Sequence, residues 1–284
     1  MPLRRSGPAR RTLPLAAGTL ASLFSVLVLP LALPGTAGAA DTRKVPAHPE
    51  QDWMGSTIAA HEGGQRATGS EPRTTSANVS GVDVSSHNGD VDWPAMRESG
   101  VRFAYVKATE GTGYKNPYFT QQYKGAYDAD MIHGAYHFAL PDHSSGAEQA
   151  TYFAHHGGGW TKDGKTLPGA LDMEYNPYGD TCYGKSASAM VSWIAEFFRT
   201  YREKTGRDAI IYTSANWWKQ CTEESGKFGK TNPLWVPRYG TSVGTLPAGW
   251  KYHTIWQYTS TGQTVGDRNR FNGAYSRLKA LADG

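Results

Sequence analysis

The sequence predicts an α/β fold: an irregular barrel of eight strands, with helices mainly in the first five units and a β-hairpin at its end. Three observations lead there. From residue 81 to about 206, apolar runs of strand length alternate with helical patterns, the mark of βαβ units around a parallel sheet. Beyond that point, strand-like runs follow one another with little helix between them. The last two, HTIWQYTS and TVGDRNRF, are separated only by the STGQ stretch, too short for a crossover helix, so they must pair antiparallel. Eight strands in this order close as a TIM-like barrel, whose functional groups sit at the C-terminal ends of the parallel strands.

Each element has its own signals. GVDVSS (81–86) reads as the first strand. DWPAMRESG (92–100) is a short helix, with Asp92 as N-cap and Gly100 as its stop. VRFAYVKAT (101–109) is the second strand, and NPYFTQQYKGAYDAD (116–130) a helix with Pro117 in its first turn. IHGAYHFA (132–139) is the third strand, SSGAEQATYFAHH (144–156) a helix and GALDMEY (169–175) the fourth strand. The longest helix is 186–206, with Met190, Ile194, Phe197, Phe198 and Tyr201 at helical spacing and Gly206 at its end. DAIIYTS (208–214) and LWVPRY (234–239) are strands five and six, ahead of the terminal hairpin.

The first 40 residues read as a secretory signal: a basic start, an apolar stretch over 13–33, and small residues ending in TAGAA. Their removal changes the charge. The chain has 29 Lys and Arg against 25 Asp and Glu. Arg4, Arg5, Arg10 and Arg11 lie in the signal, which holds no acid, so 25 basic residues remain against 25 acidic ones. A neutral chain offers no electrostatic case for nucleic acid or anionic surfaces. Residues 41–80 are polar and rich in Pro, Gly, Ser and Thr, and read as a poorly ordered linker with room for a short helix over 53–61. Residues 81–284 are then one catalytic domain. The even pair Cys182 and Cys221 reads as a disulfide in a secreted chain, with free buried thiols as the alternative.

Asp172 and Glu174, two positions apart on the fourth strand, project from the same side. Leu171 and Met173 then face the helices, and the acids face the barrel interior or its mouth. Asp83 on the first strand and Asp267 on the last come to the same end if the barrel closes. Such a ring of carboxylates raises the pKa of its members, which suits an acid that must hold a proton near neutral pH.

The motifs GVDVSSHNGDVDW, FAYVKATEGTGY, GAYHF, LDME, LWVPRY and WQYTSTG occur in that order. Together they resemble glycoside hydrolase family 25, the Chalaropsis-type lysozymes, in a secreted bacterial form. The resemblance covers residues 81 to about 273. It implies β-1,4-N-acetylmuramidase action on peptidoglycan, with Glu174 as general acid, Asp172 as its partner on the same strand, Asp83 as the acid of the first strand and Asp267 as that of the last. Two departures stand out: Arg268 and Arg270, which follow Asp267 in DRNRF, stand where smaller or apolar residues are usual, and His87 replaces an aromatic.

Other residues keep two readings. Lys107 and Glu110 of KATEG form either a structural salt bridge or a sugar contact. Of Tyr136 and His137 only one can face the cleft, and Tyr136 is the expected substrate contact. Trp235, Tyr239, Trp256 and Tyr258 are expected to divide between core and sugar-stacking platforms. No Cys/His cluster suggests zinc, no Gly-rich loop suggests phosphate, and no cofactor is expected. The expected partner is peptidoglycan, met outside the cell by a monomer. A chitinase-like barrel would carry a longer acidic run, and Ala170 stands where one of its acids would fall. A non-catalytic glycan-binding protein has no need of Glu174.

Overall fold

The computed structural model describes residues 45–62, 78–262 and 264–284. The segment read as a signal lies outside them, as do residues 63–77. Among the described residues no helix is long and apolar enough to cross a membrane.

The barrel is closed and mixed. Its strands are β1 (Val79–Val84), β2 (Phe103–Glu110), β4 (Ile132–Phe138), β5 (Ala170–Asp172), β6 (Ile210–Tyr212), β7 (Leu234–Pro237), β8 (Ile255–Thr259) and β9 (Asp267–Phe271). A two-residue strand, β3 (Tyr114–Lys115), turns back on the end of β2. The pairings from β2 through β8 in this ring are parallel, as is β1 with β2. Strand β9 is antiparallel to both β8 and β1, and so closes the ring. This is the terminal hairpin expected from the short 260–263 gap.

Helices cover the outside. After a short α1 (Ile58–Glu62) come α2 (Trp93–Glu98), α3 (Phe119–Asp128), α4 (Gly146–His155), α5 (Ala187–Thr205), α6 (Ala215–Thr222) and α7 (Tyr275–Asp283). Side-chain caps start several of them. Asp92 accepts from the Ala95 N–H, Ser145 and Glu148 form a reciprocal capping box on α4, and Ser186 caps α5; each satisfies an otherwise unpaired N–H. Gly206 ends α5 in the left-handed region at φ 74°. Cys182, ahead of α5, is bridged to Cys221 in α6, with Cα atoms 5.3 Å apart, tying the loop beyond β5 to the helix that follows β6.

Two core layers result. Val82, Val84, Val106, Met96 and Trp93 pack β1 and β2 against α2 and α3. A larger cluster fills the barrel and the space under α4, α5 and α6. Inside the barrel, Trp235 meets Tyr105 at a centroid distance of 4.8 Å and Tyr212 edge-on at 5.7 Å. This aromatic layer floors the interior below the mouth.

Helices α4 and α5 cross closely at Gly146. A Cβ there would lie 2.3 Å from the Trp193 carbonyl oxygen and 2.8 Å from the Phe197 nitrogen, and backbone cannot swing aside as a side-chain end can. Gly146→Ala is therefore expected to destabilise the fold by about 1–3 kcal/mol, the usual overpacking cost, read as a lower denaturant midpoint with the slope unchanged.

Candidate active site

Register explains why the acids converge. Asp172 is the last residue of β5 and Asp83 the penultimate residue of β1. Strand β9 runs the other way, so its first residue, Asp267, reaches the same end, directly opposite Asp83. Glu174 lies two residues past the end of β5. All four carboxyls are buried.

Their surroundings differ. Asp83 Oδ2 accepts from Asn269 Nδ2 at 2.6 Å and Gln257 Nε2 at 3.1 Å. Asp267 has the Tyr239 hydroxyl at 3.4 Å. Neither carboxyl oxygen of Asp172 receives a donor among the described residues, and its polar neighbour is the Glu174 carboxyl. Burial, above all, raises each of these acids. Asp83 is pushed up to about 7, against the two amide donors that favour its charged form. Asp172 is held well above the carboxylate range by burial and then by Glu174, and Asp267 by burial and then by Asp83. Glu174 is pushed up to about 7 by burial, although three hydrogen bonds oppose the shift.

Those three bonds come from residues 45–62, which the sequence placed in a linker. The segment lies across the barrel mouth. The Gly55 N–H donates to Glu174 Oε1 at 2.7 Å and the Thr57 N–H to Oε2 at 3.1 Å; the Thr57 hydroxyl also donates to Oε2. The Met54 N–H donates to the Tyr136 hydroxyl at 3.1 Å, and the Met54 carbonyl accepts from Gln257 at 2.9 Å. Helix α1 overlaps the 53–61 span where a short helix is expected, and ends one residue beyond it at Glu62. That carboxylate accepts from Tyr175, Ser214 and Asn216.

The remaining expected site residues divide. Lys107 and Glu110 form a buried ion pair, 2.5 Å from Nζ to Oε2, and Lys107 also donates to the carbonyls of Pro49 and Asp52. Tyr136 and Tyr239 reach the acids. His137 faces the other way, between Thr109 and Gln149 under α4. Trp235 belongs to the aromatic floor, its Nε1 donating to Asn269 at 2.8 Å. Trp256 and Tyr258 are not brought to the acids. Gln257 points inward to Asp83, so by strand alternation its two neighbours point outward. Arg268 and Arg270 lie over the outward Tyr258 ring at 5.6 and 4.9 Å, which explains how two arginines can follow Asp267 on β9 without entering the mouth. His87 stacks on Trp53 of the overlying segment, centroids 4.3 Å apart. Gln257, Asn269 and Tyr178 were not singled out from the sequence. Single amides carry no pattern, and Tyr178, which donates to Glu110 at 2.9 Å, lies in an irregular loop.

Comparison with known proteins agrees with this architecture. The profile described as Glycosyl hydrolases family 25 matches residues 82–267. The chain is 43% identical to Lysozyme M1 of Streptomyces globisporus over 267 residues, 90% of each chain. It is 46% identical to an N,O-diacetylmuramidase of a Chalaropsis species over 210 residues, 72% of this chain and all of that one. Among solved structures, a muramidase from Acremonium alcalophilum superposes with a TM-score of 0.72 at 54% identity, covering 72% of this chain and 99% of that one.

The raised acids set a pH dependence. A carboxyl whose folded pKa lies above its unfolded value contributes stability below the unfolded pKa and loses it as pH rises through the folded one. For Asp83 the window runs from the ordinary 3.8 to about 7. Glu174 and Glu110 act in the same sense, while His137, pushed down to about 4, works against them. Asp83→Asn keeps an oxygen for Gln257 and Asn269 but does not titrate. Its Tm relative to the wild type is expected to climb between about pH 4 and about pH 7 by calorimetry. A difference that stays flat over that range would exclude a raised Asp83.

Proposed function

The chain belongs to glycosyl hydrolases family 25, and from that premise we propose how its barrel mouth performs the reaction. It is a lysozyme, a 1,4-β-N-acetylmuramidase that hydrolyses peptidoglycan between N-acetylmuramic acid and N-acetylglucosamine. Glycosidic cleavage requires a proton for the leaving oxygen and negative charge near the oxocarbenium-like centre. Glu174 is the proton donor in this reading. Burial pushes its carboxyl up to about 7, and a bound glycan supplies the same dry surroundings as the segment that now covers it.

The observation that carries the reading is the contrast between Glu174 and Asp172. They lie two residues apart beside each other, and the second receives no hydrogen-bond donor from the protein at either oxygen, only the neighbouring carboxyl of Glu174. A buried polar group without a partner is costly, and the substrate can supply one. The two carboxyls interact directly and so lie side by side, whereas a direct nucleophile belongs across the sugar from the acid. Asp172 therefore acts through the substrate. It accepts the N–H of the muramic 2-acetamido group and steadies the charge as that group's oxygen attacks the anomeric carbon. Asp83, its Oδ2 already held by two amides, and Asp267 are placed to assist the water that follows. Tyr136 and Tyr239 line the same mouth as substrate contacts. The enzyme acts outside the cell on wall glycan, a reading supported by the signal-like N-terminus and the disulfide.

Glu174→Gln is expected to keep the fold and lower wall lysis by about 10²–10⁴-fold, the usual contribution of general acid catalysis; retention of more than about a tenth of the activity would place the acid elsewhere. A chitin assay run beside it separates the muramidase from a chitinase-like barrel. Glycan N-deacetylated at muramic acid is expected to be cleaved far more slowly than the matched acetylated glycan. Equal rates, or a glycosyl ester on Asp172 detected by mass spectrometry, would overturn the role given to Asp172.

A further inference from the structure

We propose that residues 45–62 are an intrachain inhibitor: a strap that fills the catalytic cleft, with Glu174 as its principal anchor, so that the active enzyme is the barrel freed of the strap. The inference rests on the reading of this cleft as the muramidase site.

The contacts are those of a ligand. Three donors from two strap residues converge on the one carboxyl expected to give up a proton. With both oxygens engaged, Glu174 has neither a free face for a glycosidic oxygen nor the space to receive one. The strap's main chain is gripped along its length by Lys107, Tyr136 and Gln257, each of which points into the barrel mouth. At its far end Glu62 is held by three side chains, Tyr175 beyond β5 and Ser214 and Asn216 at the start of α6. Met54 and Ile58 are buried with the barrel core. What the strap leaves open is a cavity of ≈ 510 Å³ lined by Trp53, Asp83, His87 and Asp267. It reaches two of the acids and neither Asp172 nor Glu174.

A permanent structural role fits less well. The barrel closes through β1, β2 and β9 without any strand from the strap. Relatives differ in how much of this chain they match: the Chalaropsis protein, matched along its full length, covers 72% of it, about the extent of the barrel, whereas Lysozyme M1 covers 90%. The buried side chains that hold the strap are polar groups a sugar would also use, which is how a built-in substrate mimic differs from a core element.

Gly55 gives a clean way to lift the strap without altering the barrel. It sits at φ +94°, and a Cβ there would lie 2.6 Å from both Gln257 Oε1 and the Tyr239 hydroxyl and 2.9 Å from the Tyr212 hydroxyl. Valine at this position is strained in its backbone and collides with three side chains anchored on separate elements.

Three proteins are compared in wall-lysis assays, each confirmed intact by mass spectrometry and folded by near-ultraviolet circular dichroism: the chain from residue 41, the same chain carrying Gly55→Val, and the barrel from residue 78. If the cleft is open in one strapped molecule in ten, kcat/KM falls about tenfold. The barrel and the Gly55→Val chain are therefore expected to lyse walls at least about tenfold faster than the unaltered chain. A synthetic 45–62 peptide is expected to inhibit the barrel competitively. Equal rates for all three proteins, or a barrel that folds but lyses more slowly than the full chain, overturns the proposal. If none of the three lyses walls, the muramidase reading fails instead, and the strap is judged by binding alone. The peptide must then bind the barrel in a calorimeter and lose at least about tenfold in affinity on Glu174→Ala; no binding, or binding indifferent to that substitution, overturns it.

Discussion

Four carboxyl groups share one end of this barrel, and they cannot all be charged there. Removing a carboxylate from water is costly, and a second one nearby increases the cost. The molecule answers locally. Two amides, from Gln257 and Asn269, hold Asp83. Backbone N–H groups of Gly55 and Thr57 hold Glu174. Asp267 has a tyrosine hydroxyl, and Asp172 has no donor from the protein, only the Glu174 carboxyl beside it. The inequality matters more than the total. It leaves protons in the site at neutral pH and leaves one carboxyl still requiring a partner, the two properties that glycosidic cleavage demands.

The geometry behind this crowding depends on the reversed last strand. In an all-parallel barrel every residue at the mouth comes from the end of a strand. Here β9 enters at the mouth, so its opening residue, Asp267, stands beside Asp83. The same reversal places Asn269 two residues deeper, where it holds both Asp83 and the Trp235 indole. One antiparallel strand thus links the charged mouth to the aromatic floor below it.

The strands and acids could be read from the sequence because both leave periodic marks. Asp172 and Glu174 alternate with Leu171 and Met173, and the βαβ rhythm fixes which strand end they occupy. The short 260–263 gap forces the hairpin. Other features leave no such mark. Trp256 and Tyr258 are aromatic on an outward face, and residue type alone does not tell inward from outward. Lys107 and Glu110 are compatible with a salt bridge or a sugar contact until Nζ and Oε2 are seen 2.5 Å apart. Residues 45–62 were the hardest to read. Much of their grip is through N–H and C=O groups common to every residue, and a stretch with few apolar side chains looks like linker whether it is held or not.

The strap lies on the same chain as the groove it fills, and this makes its loss a one-way event. A segment joined to its target by a short connection meets it at an effective concentration of about 1 mM. With a dissociation constant of about 1 μM, the groove would then be filled about a thousand times more often than empty. Hydrolysis of a single peptide bond between strap and β1 ends that advantage. The freed piece is diluted to the concentration of the enzyme itself, and at nanomolar levels the same affinity leaves nearly every groove vacant. No contact need weaken for this to happen. Dilution alone carries the molecule from closed to open, and nothing in the surrounding medium drives it back.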